Sequence, residues 1–544
     1  MTGHPGSGAI ALRFITPCIA LLALLLAGRA SAENVAYQLP CVHGEAVSSY
    51  QPVVGRFGLF PPPPLASSHG LHELHEPEID RCQQLVPSCS GDFSAGPNYD
   101  HLPAMPCDEI GIYGNKYMVP TQRPWVEWGL PLYDNGPIPV SETWLGPTNL
   151  VQQKFYIYGD YRVGLAQNTN IANEADVLAH RLNLECDYWI TSTERLHMFV
   201  GPFQEAGRFM RLENGKFFDE LELFNDNTDT LFFEGDLGQL VGGWEHTAAP
   251  FDLPFTVGLV PLLLQNGVWA LDALWGGAVT IPAQNSPWLD WSNFDVTFFA
   301  ALDQVSSDAF DQSPHSARFF GGTTFVETRG GYLEMGYAFV DDRNSAGRSY
   351  HNASLSYTRR YLNRVSNSVR VIANAGQDLP ASEQTADGVL LLVENSLLTS
   401  NPYNVVPYVN AWAGFGRPQP LARAAAFGQV LFNTGILFQV DGLTGFPTLD
   451  ATGNNTTGVA VGVDLLGEGR PLAGLGRQLI FEAAALHAFG DPTTRNAPGN
   501  QYGLGARWQK PLSHAWLVRM DGMYGITENA RNVSGVRGEL RWKF

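Results

Sequence analysis

Beyond its N-terminal stretch, the sequence lacks an apolar run long enough to cross a membrane as a helix. Such a helix needs about 20 consecutive, predominantly apolar residues. The best later candidate, residues 255–282, is interrupted by Pro261, Gln265, Asn266 and Asp272. The fold is therefore not expected to depend on helical membrane spans.

Positive charge is also scarce. The chain carries 33 Lys and Arg against 53 Asp and Glu, which gives a net charge of −20. Because nucleic-acid binding requires a basic face that neutralises phosphates, we expect no nucleic-acid partner. An acidic excess on exposed loops keeps a protein soluble, and we favour that interpretation over selective attraction of cations.

Catalytic and metal-binding motifs are missing as well. No G-x-S-x-G elbow lies beside a predicted strand, and no H-E-x-x-H motif occurs. His69, His72 and His75 would share one side of a helix, but we interpret them as a solvated, His-rich stretch. His180 and His487 lie in predicted strands without an identifiable nucleophile. We therefore expect no enzymatic activity, no cofactor and no metal site.

The first residues predict export. Arg13 precedes an apolar stretch, residues 14–27, and the segment ends in Ala30-Ser31-Ala32. A positive charge, a short apolar region and an A-x-A site are typical of a signal peptide. We predict that residues 1–32 are removed.

Cysteine is rare and unevenly placed. Cys18 lies in the predicted signal peptide, and Cys186 stands alone on the apolar side of a predicted strand, where we expect a small buried hydrophobic residue. The other four share one segment: Cys41, Cys82, Cys89 and Cys107. In an exported protein such a cluster predicts two disulfides, whose three pairings the sequence leaves open.

Alternation of apolar and polar residues is what the chain has in abundance. In residues 181–190, Leu182, Leu184 and Cys186 alternate with Arg181, Asn183, Glu185 and Asp187. Successive side chains of a strand point to opposite faces, and a charge within an apolar strand must face water or a partner. Because the pattern recurs in many segments, it predicts a sheet with one apolar face and one polar face that borders a water-filled lumen.

The last strand has the same pattern and ends on an aromatic residue. Phe544, Trp542 and Leu540 lie on one face, opposite Arg541 and Arg537. This strand resembles the closing strand of bacterial outer-membrane β-barrels. The resemblance implies that Phe544 and Trp542 form the signal read by the barrel-insertion machinery.

Three further features resemble the alginate-export-type family of 18-stranded channels. They are the strand–turn–strand of residues 182–200, the segment 255–258 followed by 266–269 and Trp275, and the terminal 542–544. Leu259 and Val260 stand where that family usually has Arg-Gln, so the resemblance concerns the architecture and not export of alginate.

Length sets the expected size of the barrel. Strands that cross a bilayer need about 9–11 residues, and about 22 residues per strand with its connection give roughly 16–20 strands. We predict an all-β, transmembrane antiparallel β-barrel of 18 strands over residues 146–544. Residues 33–145 are rich in Pro and Cys, and we predict a periplasmic appendage or plug, with a partly disordered leader as the alternative.

The predicted function is an outer-membrane channel for diffusion of small hydrophilic solutes or ions. We expect outer-membrane lipid as a partner and leave a homo-oligomer open. The alternatives are a non-conducting surface barrel and a barrel hydrolase. Residues 255–282 are expected to form a strand with an infolded loop that narrows the channel, and Lys154 and Arg541 to be neighbours where the barrel closes. The side chains expected to line the pore are Asp160, Arg162, Arg181, Glu185, Asp187, Arg370, Arg507, Arg519, Arg537 and Arg541.

Overall fold

The structure, a computed structural model, describes most of the chain from residue 153 onward. The described ranges are 124–129, 153–191, 193–205, 208–218, 228–310, 313–399, 405–424, 428–467, 476–491, 498–513 and 515–544. The predicted signal peptide, the four clustered cysteines and the His-rich stretch lie outside these ranges. So does the predicted appendage, apart from residues 124–129.

Eighteen antiparallel strands form the wall. The first nine are β1 (Lys154–Thr169), β2 (Glu174–Trp189), β3 (Arg195–Val200), β4 (Thr228–Asp236), β5 (Pro254–Leu264), β6 (Ala270–Ser286), β7 (Trp291–Asp303), β8 (Ala317–Thr328) and β9 (Gly331–Asp342). The other nine are β10 (Tyr350–Tyr361), β11 (Val365–Ala375), β12 (Val389–Leu397), β13 (Val405–Phe415), β14 (Thr456–Gly467), β15 (Arg477–Ala488), β16 (Gln501–Pro511), β17 (Trp516–Thr527) and β18 (Val533–Lys543).

Each strand pairs with the next along the chain, and β18 pairs with β1 to close the sheet. The closing register runs from Asp160 opposite Lys543 to Thr169 opposite Ser534. Closure leaves no unpaired edge along the wall, which is the requirement for a sheet in a membrane. The predicted all-β barrel and its strand number are confirmed. The expected neighbourhood of Lys154 and Arg541 is wrong, since Arg541 lies opposite Arg162, and Lys154 opposite Gly129.

The two faces of the wall have opposite chemistry. Apolar side chains on the outer face are open, as in Leu504 (65% exposed) and Val536 (67%), while polar side chains on the inner face are buried, as in Arg537 (2%) and Asn352 (0%). Cys186 is a free, half-buried thiol on the outer face, in register with Met198. The barrel is therefore apolar outside and polar inside, which the alternation predicted.

Connections differ between the two ends of the barrel. At the end where Phe544 lies, most are brief, such as 287–290, 329–330 and 362–364; we call this the turn end. At the other, loop end, the chain makes longer excursions, including 304–316, 376–388 and 416–455.

A helix, α1 (Leu237–Glu245), lies in a turn-end connection. It begins at Asp236, whose side chain accepts a hydrogen bond of 3.0 Å from the amide of Gln239. Such a cap satisfies one of the free N–H groups of the first turn. Among the described residues, no helix is both long and apolar enough to span a membrane.

A short strand, Val126–Gly129, continues the closing seam where β18 stops. Phe544 exchanges backbone hydrogen bonds with Gly159 (2.9 and 3.1 Å), and Val126 then pairs with Ile157 on the same edge of β1. The ring of Trp125 meets the ring of Phe544 edge-on, with centroids 4.9 Å apart. Part of the predicted appendage is thus bonded to the barrel wall.

Closure predicts a specific cross-link. Val163 and Leu540 are directly paired across the seam, and the Cα atoms of such a pair lie about 4.5–5.5 Å apart, within disulfide range. We expect the double variant Val163→Cys with Leu540→Cys to form a disulfide, identified by mass spectrometry of the joined peptides.

The matched control is Val163→Cys with Val518→Cys. Val518 pairs with Leu540 from the other side, two strands from Val163, which is beyond disulfide range. Cross-linking of the control pair, or none of the seam pair under oxidising conditions, would contradict the closing register.

Candidate functional site

A hairpin leaves the wall and enters the interior of the barrel. The pairing of β4 with β5 ends at Leu259, and that of β6 with β7 begins at Trp275. Between those points, residues 260–264 and 270–274 pair with each other. We call residues 260–274 the hairpin tip. Its turn uses left-handed backbone at Gln265, Asn266 and Gly267.

The hairpin tip is fixed to the far wall by Trp269. This side chain is fully buried, and its Nε1 donates to Oδ1 of Asn352 on β10 at 2.8 Å. A Cβ at Gly336 would lie 2.1 Å from the Trp269 ring, so the glycine on β9 makes room for it. Nε2 of Gln265 donates to Oγ of Ser354, also at 2.8 Å. The expected infolded segment within 255–282 is present.

A second segment enters from the loop end. The connection between β13 and β14, of which residues 416–424 and 428–455 are described, is called here the infolded loop. The carbonyl of Gln419 accepts hydrogen bonds from Nδ2 of Asn352 (3.2 Å) and Asn374 (3.1 Å). The amide of Leu421 donates to the carbonyl of Trp269 at 2.7 Å. Hairpin tip and infolded loop therefore form one layer inside the barrel.

The infolded loop continues across the interior to the other side. The Glu482 carboxylate on β15 accepts from the amides of Ile436 (3.0 Å) and Leu437 (2.9 Å), and from the Tyr408 hydroxyl (2.5 Å). Nδ2 of Asn168 on β1 donates to the carbonyl of Thr444 at 2.7 Å. Polar wall side chains thus supply hydrogen bonds to loop backbone that has left water, which the buried loop requires.

Apolar packing holds the middle of the infolded loop. Leu437 and Leu449 are buried, and a Cβ at Gly505 or Gly503 would come within 2.9 Å of one of them. Glycines on the inner face therefore allow close approach of the loop to β16. The sequence analysis does not predict this loop inside the barrel. The features that could have indicated it are the inward glycines and the apolar residues within a connection.

Arg537 joins the infolded loop to the closing strand. It is 2% exposed, forms an ion pair with Asp441 of the loop, and donates to Asp521 on β17 at 2.8 Å. Burial alone would raise the pKa of Asp441, but the charge of Arg537 and hydrogen bonds from Thr444 outweigh it and hold this pKa below its usual range. The stabilisation from this pair is thus present above about pH 4 and is lost as the pH falls through the lowered pKa.

Arginines concentrate on one side of the wall. Arg541, Arg162 and Arg181 lie side by side on β18, β1 and β2. Asp160 pairs with Arg162 and lies 3.7 Å from Arg541, while Nε of Arg181 donates to the amide oxygen of Asn183 at 2.5 Å. We call the six inward arginines of this region the arginine arc: Arg162, Arg181, Arg507, Arg519, Arg537 and Arg541.

Carboxylates offset part of the positive charge on this side of the wall. Asp521 lies among three of the arginines, with Nε of Arg507 at 2.6 Å and Nε of Arg519 at 2.8 Å in addition to Arg537. Asp187 accepts from Tyr158 (2.8 Å) and Arg195 (3.1 Å), near the turn end. The negative charges of Asp521 and Asp187 are therefore balanced by direct pairing with arginines of the wall.

Far around the wall, the inward groups are mostly acidic. Arg370 on β11 pairs with Glu394 on β12, and Glu334 and Asp464 face inward on β9 and β14. All ten residues expected to line the pore project from the face opposite the exposed apolar residues. Their part in conduction stays a prediction.

Metal and catalytic chemistry find no further support here. No group of three His, Cys, Asp or Glu in the described ranges is placed to hold a metal ion. His180 contacts Tyr161 on the outer face, and Nδ1 of His487 lies 2.8 Å from Oδ1 of Asn500.

Loss of Arg537 is expected to release the infolded loop. Arg537→Met leaves Asp441 without its cation, and breaking a buried pair costs about 3–5 kcal/mol. We expect trypsin to cleave the infolded loop at least about 100-fold faster than in the parent protein, measured by limited proteolysis of the folded barrel.

Arg519→Met is the control, because Asp521 keeps Arg507 and Arg537 and Asp441 keeps its partner. Equal cleavage of the Arg537 variant and the parent protein would show that the pair does not hold the loop.

Comparison with known proteins gives no family for this chain. No protein-family model matches the chain, and no curated protein matches it. Among solved structures, OccK11 (OpdR) of Pseudomonas aeruginosa is 9% identical, with a TM-score of 0.46, over 72% of this chain and 96% of that one. OccK3 (OpdO) of the same organism is 10% identical, with a TM-score of 0.47, over 72% and 95%.

Wzi of Escherichia coli, described as an outer-membrane, carbohydrate-binding β-barrel involved in capsule assembly, is 13% identical, with a TM-score of 0.41, over 71% of this chain and 85% of that one. These proteins are similar to this chain over most of their own length, at an identity too low to carry a function across.

Proposed function

We propose that this protein is a channel of the bacterial outer membrane that passes small hydrophilic solutes or ions. The observation that carries the proposal is the closed 18-stranded barrel with an apolar exterior and a charged interior. No soluble protein gains from exposing a continuous apolar wall, whereas a bilayer solvates it.

The orientation follows from the connections. Barrels of this kind have short periplasmic turns and longer extracellular loops. The turn end therefore faces the periplasm, and the loop end faces outward. Aromatic side chains lie open on the outer face near the turn end, among them Tyr361 and Trp516, where a girdle at the membrane interface is expected. The insertion signal would be read before closure, since Phe544 is bonded to Gly159 in the finished seam.

The interior determines what passes. The hairpin tip and infolded loop form a layer across the lumen, so solutes must be small. Inward charges replace part of the hydration of polar solutes, which apolar walls would not do. The arginine arc favours anions on one side of the lumen, and the acidic groups around Glu334 and Glu394 favour cations on the other.

A second candidate is a non-conducting barrel. The observation in its favour is the same layer, because the infolded loop is hydrogen-bonded to Asn374 on one side and Asn168 on the other. Conductance separates the two candidates. A catalytic role is not part of the proposal.

Removal of the Trp269 anchor is expected to widen the channel. Trp269→Ala deletes the hydrogen bond to Asn352 and leaves a cavity, a loss of about 3–5 kcal/mol. The hairpin tip then detaches from β9 and β10. In planar bilayers, single-channel conductance should rise at least about twofold.

Trp275→Ala is the matched control, since Trp275 follows nearby in β6 but is 40% exposed on the outer face. Unchanged conductance in the Trp269 variant, with the hairpin tip shown to be released by proteolysis, would mean that this tip does not limit flux. A parent protein that inserts but never conducts would favour the non-conducting barrel.

Arg181 is expected to contribute to ion preference. Its charge projects inward, and one unit charge about 8 Å from a permeating ion in water changes the ion's energy by about 0.5 kcal/mol. Removal of this charge disfavours Cl⁻ and favours K⁺ by about that amount each, so Arg181→Gln should lower the Cl⁻/K⁺ permeability ratio about fivefold, measured from the reversal potential in asymmetric KCl.

Arg359→Gln provides the control because Arg359 lies on the outer face, over the ring of Tyr361. An equal shift in both variants would mean that surface charge, and not the lumen, sets the preference.

A further inference from the structure

A polar cavity lies at the loop end, above the layer that crosses the lumen. Its volume is about 180 Å³. It is lined by Asp308, Thr385, Arg417, Pro418, Gln419, Gln429, Thr452 and Asn454. These residues come from three loop-end connections, so the cavity exists only in the assembled barrel.

The cavity is built on the segment that joins the infolded loop to the wall. The Gln419 side chain donates to the carbonyl of Thr385 at 3.1 Å, and its backbone amide donates to Asn374 at 2.7 Å. Two residues further on, Leu421 is bonded to Trp269 of the hairpin tip. A solute entering from outside would meet this cavity before the constricting layer.

The charges around the cavity cancel. Arg417 makes two hydrogen bonds of 2.8 Å to the carboxylate of Asp387 and a third, of 2.8 Å, to the carbonyl of Ala381. Asp308 is hydrogen-bonded by Gln429 and lies near the charge of Arg423, while burial raises the pKa of this carboxyl. The charged residues of the lining are Asp308 and Arg417, one of each sign, and Arg417 is already paired with Asp387, so a neutral solute is the one that fits.

The cavity is lined by uncharged groups that can form hydrogen bonds, among them the side chains of Gln419, Thr452 and Asn454. Hydroxyl groups both donate and accept, which suits a lining of amides and hydroxyls such as Gln419, Thr452 and Asn454.

We propose that this cavity binds a small, neutral polyhydroxylated solute, of the size of a single sugar ring, at the outer mouth of the barrel. The volume equals that of about six liquid waters, which a monosaccharide or similar polyol replaces with fixed hydrogen bonds. The inference deepens the proposed function by naming a solute class, and its test does not depend on conduction.

Three sugars of equal size and different charge test the class. D-glucose is neutral, D-glucosamine is a cation, and D-glucuronate is an anion. Each is titrated by calorimetry into the full-length mature protein in detergent. We expect glucose to bind at least threefold more tightly than either charged sugar. Binding of glucosamine or glucuronate more tightly than glucose, or no binding of any of the three, would overturn the proposal.

Variants of Asn454 test whether glucose binds in this cavity. Asn454→Leu replaces an amide of the lining with an apolar side chain and should weaken glucose binding at least tenfold. Asn344→Leu, an exposed change in the β9–β10 connection, should leave it unchanged. Asn454→Asp keeps the shape, adds a negative charge and should reverse the preference towards glucosamine, a gain that misfolding cannot produce. Parent-like binding in both Asn454 variants would overturn the assignment.

Conductance recorded on the same preparations keeps the two proposals apart. A conducting protein without sugar binding refutes the cavity alone, and a silent protein that binds glucose through Asn454 refutes the channel alone.

Discussion

The hydrogen-bonded closure between β1 and β18 is the constraint on which the rest of the structure depends. Once the sheet closes, every wall strand has partners on both sides, and each side chain must face either outside or inside. The apolar set then lies outside and the polar set inside. Closure also creates an enclosed space, and the cost of leaving polar groups unsatisfied there decides how that space is filled.

The filling follows from that cost. A loop that enters an enclosed space loses water from its carbonyl and amide groups, and each unpaired group costs about 1–3 kcal/mol. Side chains of the wall form hydrogen bonds to these groups. They are uncharged side chains at isolated positions, such as Asn352, Asn374 and Asn168, and the carboxylate of Glu482. The barrel wall is therefore a binding surface for its own connections. The arginines serve partly the same end, since Arg537 is tied to the loop through Asp441.

The proposed function depends on the space that the hairpin tip and the infolded loop leave open inside the barrel. The layer made by the hairpin tip and infolded loop sets the size of what passes, and the inward charges set its sign. The backbone hydrogen bond between Leu421 and Trp269 couples the two parts of the layer. The cavity near Asn454 is lined by the same part of the infolded loop that precedes Leu421. Solute recognition at the mouth and passage through the constriction would then use one continuous piece of chain.

Alternation by itself determined the class of fold and the face of the charges expected to line the pore, because a period of two is a local property that any strand must obey. The length of the chain determined the approximate strand number. Alternation placed Arg181 and Asp187 inward and Leu504 outward without knowledge of any neighbour. The apolar, Pro-punctuated texture of residues 255–282 separately indicated a strand with an infolded loop.

Tertiary structure decided everything that depends on register and on distant partners. Lys154 and Arg541 were expected to meet, but β18 ends early and Arg541 lies opposite Arg162, a displacement that alternation does not reveal. The entry of residues 416–424 and 428–455 into the lumen was likewise not predicted, because it depends on glycines and asparagines of strands far away in the sequence. The sequence alone determined which face each side chain occupies. Only the closed barrel decided which residues meet, because contacts across an enclosed space are set by strand order and register.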